Sequence, residues 1–218
     1  MSDYITMIID DREVKARRGE KLLWVALDND IYIPHLCAIK EEKRPNASCR
    51  LCFVEIEGHN QPVTACTREV EEGMVVATRS SRVDRLVKTG FELLLSDHNL
   101  KCRECPANKK CSLQVIAKKR GLKLKHHRFN PLKREFKLDD SPAEFAFDRS
   151  RCVLCGQCTW ADRVEAEVGA IGFTNRGIDR VVTTFNDLPL ADSICTECKL
   201  CVDACPVGAL YYKKDQNA

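Results

Sequence analysis

The chain has 218 residues, fourteen of them cysteine, and a formal net charge of +3. That is long for one ordinary domain and short for three, unless some are organised around metal. Its apolar runs, such as residues 22–27, fall far below the about 20 residues that cross a bilayer, which argues against direct membrane insertion. With no N-terminal apolar segment of secretory type, the cysteines are expected in a reducing, cytoplasmic setting, as metal ligands rather than disulfides. Charge is uneven: residues 101–137 carry thirteen Lys or Arg against Glu104 and Glu135, a local +11 that leaves −8 elsewhere. The plain reading is a solvated cationic surface or compensation of anionic centres. Docking to an acidic partner is the second, and nucleic acid the third.

Residues 4–10 and 13–16 read as two short strands with a tight turn at Asp10 and Asp11, and 21–27 as a short helix bearing Leu23, Trp24 and Leu27. Cys37, Cys49 and Cys52 follow in irregular chain. Strands are expected at 53–56 and 74–77, with a loop at 58–61 and Cys66 between them. This suits a small β-grasp sheet over residues 1–80 with a metal-binding loop on one edge. From Arg82 the period changes. Val83, Leu86, Val87, Phe91, Leu94 and Leu95 recur at helical spacing and open a small helical domain over 81–125, which closes with a basic helix at 112–119 stopped by Gly121. Residues 123–142, polar and carrying Pro131 and Pro142, read as a connector, with the linker proper at 126–142. In the last domain, 143–218, Cys152, Cys155 and Cys158 open a helix and 173–185 suggests a hairpin. Residues 195–205 then repeat the first element before a strand at 210–213. The fold class is α+β.

The chemistry lies in four ligand sets. Cys37, Cys49, Cys52 and Cys66 stand as C-x11-C-x2-C-x13-C, a variant of plant-type ferredoxin spacing suited to a [2Fe-2S] core, with a four-thiolate zinc site as the competing reading. His98, Cys102, Cys105 and Cys111 stand as H-x3-C-x2-C-x5-C, which suits a [4Fe-4S] site with one imidazole ligand or, again, zinc. The run C-x2-C-x2-C-x3-C-P at Cys195, Cys198, Cys201 and Cys205 is that of two-cluster bacterial ferredoxins, in which the fourth cysteine ligates the other cluster. Cys152, Cys155 and Cys158 are therefore expected to share a [4Fe-4S] site with Cys205. Cys195, Cys198 and Cys201 then need the residue four after Cys158, and that residue is Asp162. Asp162 is either a helix-surface carboxylate or a harder, weaker ligand that leaves this site [4Fe-4S] or [3Fe-4S]. The sets use every cysteine, which a chance assortment would not do.

The order of these arrays resembles the N-terminal iron–sulfur region of complex I's large peripheral subunit, and the same region of iron-only hydrogenases and NAD-dependent formate dehydrogenases. In length the chain is similar to the diaphorase small subunit of soluble NAD-reducing hydrogenases. The resemblance implies an electron-transfer subunit, not catalytic alone, between a flavin- and NAD(P)H-binding iron–sulfur subunit and a hydrogenase or formate dehydrogenase-type catalytic subunit. An electron-bifurcating complex is an alternative setting. It departs from the family pattern at Asp162. The ten glycines include no G-x-G, and no phosphate-binding loop is present, so flavin and nucleotide are expected on another chain. A zinc-stapled nucleic-acid-binding module is the reading from another class; it would be colourless, and no aromatic interleaves residues 109–125.

Overall fold

Alternation of apolar residues sets the first hairpin. Ile5, Met7 and Ile9 of β1 (Tyr4–Ile9) and Val14 and Ala16 of β2 (Arg12–Arg17) are buried, and the strands pair antiparallel with Met7 opposite Val14. Asp10 and Asp11 have φ of 48° and 63°, the left-handed pair that a two-residue hairpin loop needs. The structure, a computed structural model, describes residues 3–132 and 134–217. The chain divides into two units, Met1–Glu92 and Leu93–Ala218.

In the first unit α1 (Leu22–Asp28) buries Leu22, Leu23, Val25 and Ala26. β3 (Phe53–Ile56), β4 (Val63–Thr64) and β5 (Val75–Ala77) complete a five-stranded sheet of order β2-β1-β5-β3-β4, in which β1 and β5 run parallel. β4 was not expected; two residues are too few to show alternation. Asp10 accepts hydrogen bonds from the backbone N–H of Thr78, at 2.7 Å, and from its hydroxyl, tying the hairpin tip to the chain after β5. α2 (Ser81–Ser96) buries Val83, Val87, Phe91 and Leu95, a stripe at four-residue spacing.

In the second unit α3 (Ser112–Arg120) ends at Gly121, whose φ of 66° lets its N–H return to the Ala117 carbonyl. β6 (Phe145–Phe147) pairs with β9 (Leu210–Tyr212), and β7 (Ile171–Thr174) with β8 (Val181–Thr184). β6 is buried at all three positions, so it has no alternation by which sequence could reveal it. α4 (Gln157–Trp160) runs on into a π turn at Ala161–Glu165, and α5 (Leu200–Asp203) follows β8. The described residues between 123 and 142 form no helix or strand of their own, yet several are tied down. The His126 ring donates to the Leu95 carbonyl at 2.9 Å, the Leu132 N–H to that of Ser96 at 2.8 Å, and Arg134 pairs with Asp97 at 3.2 Å. The end of α2 leaves carbonyls without helical partners, and the connector satisfies them. Among the described residues no helix is long and apolar enough to cross a membrane.

Candidate metal centres

In the first unit Cys37, Cys49, Cys52 and Cys66 are all buried. Cys52 leads into β3 and Cys66 follows β4, while Cys37 and Cys49 lie in the irregular chain between α1 and β3. The backbone N–H of Cys49 points at the Cys37 sulfur at 3.4 Å. A hydrogen bond from the Cys49 thiol draws Cys37 down to about 5, and the same contact, with burial, pushes Cys49 up. Cys52 is pushed up by its contact with the Cys66 thiol and by burial. The four thiols are therefore paired, Cys37 with Cys49 and Cys52 with Cys66, with the two pairs near each other. Gly90 of α2 makes room for this loop: a Cβ there would sit 2.7 Å from the Arg50 carbonyl oxygen.

The second unit carries the other three sets. Cys111 precedes the first residue of α3, and its thiol is pushed up by burial and then by the nearby Cys105 and Cys102. His98 is 7% exposed, and its Nδ1 has no hydrogen-bond partner among the described residues. Burial holds its imidazole below the usual pKa, and the backbone of Arg151 bears on the ring. A buried, partnerless ring nitrogen four residues before Cys102 fits a ligand better than a capping role. Gly208 lies so close to Cys105 that any Cβ at 208 would overlap its sulfur.

The two ferredoxin-like turns repeat each other in backbone as well as in sequence. Leu154 and Glu197 both have φ of 52°, followed by Gly156 at 84° and Lys199 at 70°. The N–H of Leu154 points at the Cys152 sulfur and that of Glu197 at the Cys195 sulfur, each at 3.4 Å. A four-residue helix follows each turn. Holding Lys199 in the left-handed region costs about 1 kcal/mol, which the turn tolerates because it aims the N–H groups at sulfur.

Beyond the turns the sets cross over. Burial pushes Cys158 well up, and the thiols it then feels are those of Cys155, Cys152 and Cys205. Cys152 is raised to about 12 by burial, with Cys205 beside it. Cys201 is likewise raised to about 12, first by burial and then by Cys195, Cys198 and Asp162. Cys158 also neighbours Cys201, and Cys205 neighbours Cys105, so the three sets of this unit adjoin in series.

Asp162 is not a surface carboxylate. It is 6% exposed, its Oδ2 accepts the Ile171 N–H at 3.0 Å, and its carbonyl accepts the Val168 N–H. The π turn buries it. It stands beside Cys195 and Cys201, where the repeat places a fourth ligand.

Among the described residues no three of these donors converge as they would on one bare ion. Buried thiols raised this far hold their protons unless a cationic centre is present, and an iron–sulfur core supplies that charge when bound. The donor sets, the N–H groups aimed at sulfur and the orphaned His98 nitrogen all fit such cores. Gly90, Gly208 and the Ile171 N–H were not singled out from sequence. Gly208 lay within the "CPVGAL" run as the kind of glycine that permits close approach, whereas the Ile171 contact leaves no signal in sequence. A cavity of about 1220 Å³ lined by Phe136, Arg149 and Phe173, among others, includes none of the cysteines.

Residues 2–81 match the 2Fe-2S iron–sulfur cluster binding domain family, residues 88–126 the NADH-ubiquinone oxidoreductase-G iron–sulfur binding region, and residues 192–211 the 4Fe-4S binding domain family. A crystal structure of NAD+-reducing [NiFe]-hydrogenase in the H2-reduced state contains a chain 30% identical to this one. The two superpose with a TM-score of 0.86, over 96% of this chain and 87% of that one. The chain belongs to the family of this NAD+-reducing hydrogenase chain. It is also similar to parts of longer proteins, being 34% identical to NADP-reducing hydrogenase subunit HndD of Solidesulfovibrio fructosivorans over 94% of its own length and 36% of that protein's. It is 33% identical to the NADPH-Fe(3+) oxidoreductase subunit alpha of Geobacter sulfurreducens, and 32% identical to an NADH-quinone oxidoreductase subunit of Rickettsia typhi. The chain spans 24% and 30% of the length of those two proteins.

Proposed function

We propose that the chain is the iron–sulfur relay of a multi-subunit oxidoreductase, carrying electrons between a flavin- and NAD(P)H-binding subunit and a hydrogenase or similar low-potential catalytic subunit. It works in the cytoplasm and binds no flavin or nucleotide of its own. The observation that carries this reading is the duplicated cysteine turn, with matching left-handed residues, N–H groups aimed at sulfur, and a fourth cysteine, Cys205, lying with the opposite triplet. A β-grasp domain holds [2Fe-2S] on Cys37, Cys49, Cys52 and Cys66. A small helical domain holds [4Fe-4S] on His98, Cys102, Cys105 and Cys111. A two-cluster ferredoxin-like domain holds [4Fe-4S] on Cys152, Cys155, Cys158 and Cys205, and a fourth centre on Cys195, Cys198, Cys201 and Asp162. When bound, these centres accept and release single electrons. The residues hold them in series, exclude water by burial, and set their charge environment through His98 and the N–H groups at sulfur. Equivalent subunits of formate dehydrogenases or electron-bifurcating complexes would share this machinery, since the chain itself carries no substrate site by this reading.

Anaerobic purification tests the reading. The protein is expected to be brown, with about fourteen irons per chain and little zinc, the content of one two-iron and three cubane centres. A colourless preparation with stoichiometric zinc would overturn it.

A further inference from the structure

The first unit mixes its charges, fourteen Lys or Arg with sixteen Asp or Glu over residues 1–92, and five of its cations are matched locally: Lys21 with Glu69, Lys40 with Asp28, Arg68 with Glu71, Arg79 with Asp84 and Arg82 with Glu55. The stretch around Cys102, Cys105 and Cys111 is built differently. Lys101, Arg103, Lys109, Lys110, Lys118 and Lys123 are exposed, and none has an ion pair among the described residues. Glu104 is the lone acid between residues 101 and 134.

Two bland explanations fall short on magnitude and placement. Compensation of a bound centre is one. Three thiolates and a neutral imidazole around a four-iron core would leave about −1 oxidised and about −2 reduced, against the six exposed cations named above and the single acid Glu104 beside this set. The second is a general solvated face, which intersperses both signs, as the first unit does. This face instead concentrates one sign over one donor set. α3 follows directly on Cys111 and is only nine residues long, about 13 Å, so its cations stay within one short helix of a ligand sulfur. Leu113, Ile116 and Ala117 point inward, and Lys118 and Lys119 lie exposed. Cys102 and Cys105 are themselves only half-buried.

We infer that this cationic face is a docking surface for an acidic electron-transfer protein, which exchanges one electron with the His98, Cys102, Cys105 and Cys111 centre. The inference rests on that set being a cluster site. One electron crosses; the partner is oxidised as the centre is reduced, or the reverse, and no bond or proton is transferred. Complementary charge steers such encounters and is screened by salt. Nucleic acid is disfavoured because α3 carries no aromatic side chain on which a base could stack.

The test uses the anaerobic holoprotein, reduced with dithionite and freed of excess, mixed in a stopped-flow instrument with oxidised flavodoxin as the acidic probe. Iron content and the EPR spectrum are recorded first, so that failure to load the centres counts against the ligand assignment and not against docking. Transfer to flavodoxin is expected to slow about tenfold or more between low and physiological ionic strength. A Lys110→Glu, Lys118→Glu double variant with unchanged iron and EPR is expected to lose a similar factor at low salt, while Lys15→Glu in the first unit changes nothing. Reduction of neutral benzoquinone is expected to be alike in all three. Rates indifferent to salt and to the double variant would overturn the inference, as would retention of a DNA oligonucleotide through these lysines with no effect on flavodoxin.

Discussion

Residue Asp162 is where spacing and structure together say most. The two-cluster repeat places it where cysteine belongs, and the fold buries it beside Cys195 and Cys201 with one oxygen on the Ile171 N–H. A carboxylate is a harder and weaker donor to iron than thiolate. An iron held at this corner would therefore be the most exchangeable, and mild oxidation of wild type is expected to give a three-iron EPR signal from this centre. Asp162→Cys is expected to suppress that signal. It also gives up the hydrogen bond from Ile171, at a cost of about 1–3 kcal/mol, so the variant should melt lower while holding its fourth iron better. Equal oxidation behaviour in both proteins would reduce Asp162 to a structural carboxylate that caps the Ile171 N–H.

Two elements depend on glycines that approach a ligand loop. On α2, a methyl at Gly90 meets the Arg50 carbonyl at 2.7 Å, and backbone cannot swing aside as a side chain can. Gly90→Ala is expected to destabilise the first unit by about 1–3 kcal/mol. It should also weaken [2Fe-2S] retention, seen as loss of its visible absorption on dilution, with the cubane EPR signals intact. Just before β9, Gly208→Ala drives a methyl into the Cys105 sulfur. The expected outcome is the converse: selective loss of the His98-containing centre, with [2Fe-2S] absorption unchanged. If either substitution left all signals as in wild type, the contact it targets would not bear on its centre. Helix α2 itself was legible from Val83, Val87 and Phe91, whereas both glycine contacts join residues about forty or a hundred positions apart and leave no periodic trace.

At the scale of the molecule the two units differ in what holds them. An apolar core of buried residues from Ile5 to Val76, with Leu22, Leu23 and Val54 fully buried, lies wholly within the first. The second has shorter elements, and its buried side chains include Cys111, Cys155, Cys158 and Cys201. Iron removal by a chelator under reducing conditions is expected to unfold the second unit first, with limited proteolysis cutting within residues 93–218 while a fragment of residues 1–92 survives. Equal protection of both units after iron loss would contradict this. Functionally, the isolated chain is expected not to reduce a dye with NADH, and to do so once its flavoprotein partner is added. Stoichiometric FMN on the purified chain would count against the relay reading.

Sequence by itself determined the local terms, the Asp10-Asp11 hairpin, the stripe of α2 and the Gly121 stop, and the four donor sets stand as its proposal. Each depends on residues near one another in the chain or on a spacing that iron–sulfur coordination constrains. The structure alone decided the rest. β4 and β6 exist because partners across the sheet satisfy their backbone, although two or three residues carry no pattern. The polar segment 123–142 is anchored because the end of α2 offers carbonyls that need donors. Asp162 turns inward because a π turn and a distant N–H fix it there, a placement set by burial and hydrogen bonding across the fold rather than by any preference of its neighbours in sequence.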